Sequence, residues 1–165
     1  MRVACRTTVA AVLLCLASHA HSTSGLQETE RKPAAPLVLT NDRATGSFPI
    51  SPETLAAAPR TLSVSISTVT NPEKTPFEVL VYLSVRRAAP AEPHKILIGN
   101  FSLYPPDHAA GFLLSTSQAF QKLQADGASA KSLKVRLLVE IKRIHEDKPW
   151  TPIAITVPPP KWRDD

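Results

Sequence analysis

Hydrophobic and polar residues alternate most regularly between Pro76 and Tyr104, and this stretch organises the reading of the chain. In Phe77–Val85, the residues Phe77, Val79, Val81, Leu83 and Val85 fall on one face of a strand, with Glu78, Leu80, Tyr82 and Ser84 on the other. The mixed second face predicts a largely buried strand. Lys95–Tyr104 is equally prone to β structure but carries Gly99 in its middle, where the missing side chain predicts a bulge or a close backbone approach. Between the two runs, Arg86 to His94 is polar and proline-containing, so a loop is expected.

The same period of two recurs along the chain. Leu62, Val64, Ile66 and Thr68 alternate with Ser63, Ser65 and Ser67, which predicts one core face and one hydroxyl-rich face. Val135, Leu137, Val139 and Ile141 alternate with Lys134, Arg136, Glu140 and Lys142, the pattern of an antiparallel strand; its basic residues could be imagined as a binding stripe, but a charged outer face that keeps a β-protein soluble is the reading taken. Phe112–Thr116 is a further strand, and Ile153, Ile155 and Val157 form a last one after the corner Lys148–Pro152. Helical spacing is confined to two places. Glu53–Ala58 has room for one turn, and Gln118–Gln124, with Ser117 as N-cap, buries Phe120 and Leu123 three residues apart. About six to seven short strands, one short helix and no βαβ rhythm predict an all-β protein, an antiparallel β-sandwich or barrel-like fold. Its expected core contains Val79, Val81, Phe101, Val135, Leu137 and Val139.

The N-terminus has a different pattern. Arg2 and Arg6 precede an apolar run, Thr7–Ala17, that is too short to span a bilayer, and Ser18-His19-Ala20 presents small residues to a signal peptidase. Residues 1–20 are therefore read as a signal peptide cut after Ala20, and the protein as secreted or periplasmic. Lipidation at Cys15 is the alternative, but the bulky Leu14 stands where such sites take a small side chain. Residues 21–45 read as a flexible tether, 46–157 as the β-sandwich domain and 158–165 as a proline-rich tail, frayed or extended on the surface.

Composition then narrows the function. Both cysteines, Cys5 and Cys15, lie in the signal, so the mature chain is expected to be free of disulfides and stabilised by packing. Of the 19 basic residues, Arg2 and Arg6 leave with the signal, and the net charge falls from +5 to +3 against 14 acidic residues. That balance demands neither a nucleic acid nor an anionic membrane.

Candidate chemistry is sparse. A coupled dicopper site needs three neutral imidazoles per metal, closely spaced and mostly on helices, whereas His21, His94, His108 and His145 are far apart and mostly in predicted loops. There is no Ser-His-Asp signature, glycine-rich phosphate loop or Cys-x-x-Cys pair, so the chain is read as a non-enzyme without a cofactor. Cleavage after Ala20 would give His21 an amine and an imidazole able to chelate Cu(II), but it opens a polar tether, which predicts adventitious binding. The aromatic platform expected of a carbohydrate site is not evident from Trp150, Trp162, Tyr82 and Tyr104.

The order of landmarks resembles the C-terminal domain that follows the copper domain in tyrosinases, plant-type polyphenol oxidases and related haemocyanins. Phe48-Pro49-Ile50 and Leu62–Ile66 are similar to the family's "FPL" lead-in and strand. Pro76–Tyr82 loosely resembles its "KFDVYVN" strand, and Ile96–Pro105 its "EFAGSFVNVPH" strand. Phe112–Leu123 and Val135–Ile141 match the strand, helix and strand that follow, so the resemblance covers roughly Phe48 to Val157. In the family this domain lies behind an oxidase domain in one chain and inserts a side chain at its substrate entrance. The resemblance therefore implies an accessory protein that shields or helps mature a separately encoded type 3 copper oxidase. The loop Tyr104-Pro105-Pro106-Asp107-His108 is the expected interface: Tyr104 offers a phenol like a phenolic substrate, and His108 an imidazole able to contact or hand over copper. The structural alternative is that Tyr104 caps the core edge and the prolines merely end the strand. The functional alternative is an exported β-sandwich that binds another protein or a glycan with no link to copper.

Overall fold

A computed structural model describes residues 34–86, 93–125, 134–145, 147 and 149–164. Among them are ten strands: β1 (Leu37–Thr40), β2 (Thr45–Pro49), β3 (Thr61–Ile66), β4 (Thr68–Thr70), β5 (Phe77–Arg86), β6 (His94–Ser102), β7 (Ala110–Ser115), β8 (Lys134–Arg143), β9 (Ala154–Val157) and β10 (Lys161–Arg163). Two helices, α1 (Pro52–Ala57) and α2 (Ser117–Ala125), complete the fold. The strands form three antiparallel sheets, and the architecture is all-β and sandwich-like.

The largest sheet has the order β2-β8-β5-β6, with the two most regular strands of the sequence side by side at its centre. Phe77, Val79, Val81, Leu83 and Val85 of β5 and Val135, Leu137, Val139 and Ile141 of β8 are all buried on one face. Gly99 fulfils both parts of its expectation. Val81 pairs with Gly99 and Tyr82 with Leu97, so Ile98 is the extra residue of a bulge. A Cβ on Gly99 would lie 3.2 Å from Leu114 Cδ2 on β7, because the bulge turns β6 onto its neighbour. Phe101 is half-buried at this junction and stacks on Phe112 with ring centroids 3.8 Å apart.

The other two sheets, β1-β9-β4 and β10-β3-β7, contribute inner faces to the same apolar cluster. They are linked through Ser67. Its N–H donates to Thr156 O at 2.9 Å and transfers the chain from β3, paired with β7, to β4, paired with β9. The alternation expected to run on to Thr68 therefore stops at Ile66, and Thr68 is exposed.

Several boundaries differ from the sequence reading. The tether expected over 21–45 ends earlier, because Leu37–Thr40 pairs with β9 and Leu39 is fully buried. Asn41 fastens the following turn: it donates to Thr151 O at 2.8 Å and accepts from Ile153 N at 2.7 Å. Gly46, expected near the start of the domain, lies within β2, where a Cβ would come within 2.9 Å of both Leu37 and Leu39. At the other end, the tail 158–165 is not frayed over its described part. Lys161–Arg163 pairs with Thr61–Ser63, and the Trp162 ring lies 5.9 Å from that of Phe120. Two short helices replace the expected single one. Ser51 caps α1 by accepting from Thr54 N at 3.2 Å. α2 starts at Ser117 itself, so Thr116 is the residue before the helix: its carbonyl accepts from Phe120 N and its buried hydroxyl donates to Pro59 O. Phe120 and Leu123 are buried as expected.

Candidate functional site

The loop between β6 and β7 is built outward from Leu103, which is buried and ends the inward face of the strand. One residue on, Tyr104 is 99 % exposed. The expectation that it caps the core edge is thereby corrected: Leu103 does so, and the phenol projects into solvent. The Tyr104–Pro105 peptide is cis, and His108 N donates to Pro105 O at 3.3 Å, closing a turn over Pro106 and Asp107.

This turn is held from beneath by Asn71, a polar side chain only 4 % exposed. Asn71 Nδ2 donates to Pro106 O at 3.0 Å and to Thr75 O at 2.9 Å, while its Oδ1 accepts from Thr75 N at 3.0 Å. One amide thus joins the β4–β5 connection to the β6–β7 loop. Lys74, in that connection with a φ of 49°, places its ammonium 3.4 Å from Asp107 Oδ2. Thr75 is tied in turn to the hydroxyl of Thr151, ahead of β9.

On the turn, His108 Nδ1 lies 2.8 Å from Asp107 Oδ1. The carboxylate holds its proton less readily than usual, chiefly because of the His108 hydrogen bond, with smaller contributions from a backbone N–H and from Lys74. An ionised carboxylate only accepts, so Nδ1 is the donor of this bond. His108 remains largely exposed, with 66 % of its side chain accessible. The loop therefore presents a phenol and an oriented imidazole on a backbone braced at Pro106.

The expected site residues Tyr104 to His108 are together as one surface. His21 lies outside the described residues, as do Cys5, Cys15, the cleavage site and most of the Arg86–His94 loop. His94 is the first residue of β6, so the sheet extends into that loop, and His145 is exposed beyond the end of β8. Among the described residues no group of three or more His, Cys, Asp or Glu is placed to hold a metal ion. No described helix is long and apolar enough to cross a membrane. Missing from the sequence reading are Asn71, a lone amide whose partner stands 35 residues away, and a cationic groove formed by four strands and described below.

Fold and loop together define an all-β, sandwich-like domain with a rigidly mounted surface loop. No family model matches the chain, and no curated protein or solved structure was found to resemble it.

Proposed function

We propose that this chain is a non-catalytic accessory protein that engages a partner through the Tyr104–His108 loop. The partner is taken, on the sequence resemblance alone, to be a separately encoded type 3 copper oxidase. The observation that supports the reading is the full exposure of Tyr104 on a turn whose backbone is anchored by a buried amide. A large aromatic side chain in water forgoes burial, and a braced loop loses little entropy when it docks. Both features favour a side chain made to enter a pocket of another molecule.

The test is an oxidase assay with the wild-type protein and with the double variant Tyr104→Ala, His108→Ala. The wild type is expected to alter the oxidase's activity and the variant to leave it unchanged. Tyr104→Phe separates the ring from its hydroxyl, since a phenol that mimics substrate loses its hydrogen bond but keeps its packing. If wild type and double variant act equally, this loop is not the contact. If the wild type neither binds nor affects any type 3 copper oxidase, the partner assignment is wrong.

A further inference from the structure

At the far end of the large sheet from Tyr104, its outer face forms a groove of about 770 Å³. Arg86 of β5, Lys95 of β6 and Lys134 and Arg136 of β8 line it, and no carboxylate does so among the described residues. Strand register puts these cations together. Arg86 and Lys134 are direct cross-strand partners, and Ser84 stands between Arg136 on one side and Lys95 on the other. With strands about 4.8 Å apart and alternate residues about 7 Å apart, the four charges span a patch of roughly 7 by 10 Å. Like charges directly opposite one another destabilise a sheet. A polar outer face that served solubility alone would alternate its signs; of the four cations Lys95 is balanced in this way, by Glu140 at 3.1 Å. Arg86, Lys134 and Arg136 have no such ion pair among the described residues. Arg136 is aimed instead, its Nε donating to Ser47 Oγ at 2.8 Å.

We infer that this groove binds an acidic polysaccharide, one with carboxylate or sulfate groups repeated along a stiff chain. Fixed cations on rigid strands suit evenly spaced anions, and the hydroxyls of Thr45, Ser47 and Ser84 in the same groove suit the neutral hydroxyls between them. Ile50 and Leu55, on the α1 side, give the groove an apolar wall for the C–H faces of sugar rings. Single-stranded nucleic acid needs aromatic faces on which to stack. None lines the groove, and the Tyr82 ring beside it is covered by the Lys95 ammonium, 5.4 Å from its centroid. The groove is independent of the oxidase reading, because it lies at the start of β6 and the Tyr104 loop follows its end.

The experiment is calorimetric titration of the full chain with an oligogalacturonate, a neutral oligosaccharide of equal length and an oligo-dT. The variant Arg86→Ala, Lys134→Ala is compared with Lys161→Ala, Arg163→Ala, which removes the same charge from exposed positions of β10. The uronate is expected to bind and the neutral sugar not to. The groove variant should weaken uronate binding at least about tenfold and flatten its salt dependence, with less than about a twofold effect in the β10 variant. Equal losses in the two variants, no uronate binding by the wild type, or equal or tighter binding of oligo-dT would each overturn the proposal. The groove variant should melt no lower than wild type, since a like-charge pair is removed. Should it melt lower, the Gln substitutions at both positions keep the side-chain stems, and the same tenfold loss is then required of them.

Discussion

Replacing Asn71 by Ala tests whether the Tyr104 loop is held by the buried amide. The side chain makes three hydrogen bonds, two as donor to Thr75 O and Pro106 O and one as acceptor from Thr75 N. Each is worth about 1 kcal/mol net, so the sum is about 3 kcal/mol. Thr75 and Pro106 are only half-buried, and water can reach the groups that Ala leaves unpaired. That recovers part of the loss and sets the expected destabilisation at about 1.5–3 kcal/mol. With a urea slope of about 1.5 kcal/mol per molar for a domain of this size, the midpoint should fall by about 1–2 M. Hydrogen exchange localises the effect: the amides of Thr75 and His108 should lose protection, while those of β5 and β8 at the sheet centre keep theirs relative to global unfolding. Asn71→Asp keeps the acceptor for Thr75 N but sets a carboxylate against two carbonyl oxygens, so it should cost at least as much as Ala. A midpoint shift below about 0.3 M, or unchanged protection at His108, would show that the loop owes its shape to its prolines and not to Asn71.

Leu137, fully buried on a central strand between Phe48 and Leu83, should lose about 2–5 kcal/mol in urea unfolding when changed to Ala; a loss under about half a kcal/mol would contradict its placement. The Asp107 carboxyl should titrate by NMR below its ordinary value and move up more in His108→Ala than in Lys74→Ala, since the histidine contributes most; the reverse order would refute the dyad. Because its folded pKa is depressed, Asp107 stabilises the fold above the unfolded carboxylate value of about 3.9, and this stabilisation disappears as pH falls through the lower folded value. Asp107→Asn should accordingly flatten the acid limb of the stability curve and leave its alkaline limb in place. Mass spectrometry of exported material should find a chain beginning at His21 with no thiol to alkylate, and an intact Met1 or a lipid on Cys15 would contradict the processing inferred from the leader.

Strands announce themselves locally, because a side chain's face depends only on whether its position is odd or even. For that reason β5 and β8 were legible residue by residue, together with the bulge at Gly99, the buried face of α2 and the turn at Pro105–Pro106. Short strands carry too few alternations for such a signal. Leu37–Thr40 and Lys161–Arg163 are strands because β9 and β3 offer them open edges, and a polar or proline-rich stretch with a free edge beside it satisfies its backbone there. The break at Ser67 is set by two partners, β7 before it and β9 after it, and the only trace of it in the sequence is Val69, which falls out of phase with Leu62, Val64 and Ile66.

The two candidate surfaces divide in the same way. Tyr104 to His108 is contiguous in sequence, so its prolines announced a turn before any contact was known, while Tyr104 stood open between a cap on the core edge and a presented phenol. Whether Tyr104 faced the core or the solvent depended on Leu103 occupying the inward position and on Asn71 reaching the Pro106 carbonyl from another loop. The groove was legible only as a basic stripe on β8, which its alternation assigns to a solvated outer face. Lys134 and Arg136 on β8 are the ordinary outer residues of an alternating strand, and Arg86 and Lys95 flank an apparent loop. Only the register Arg86↔Lys134 and Ser84↔Arg136, with Lys95 opposite Ser84 on the other side, concentrates their charge. Alternation is a property of one strand, whereas charge density on a sheet is set by pairing between strands, which the sequence of any one of them does not specify.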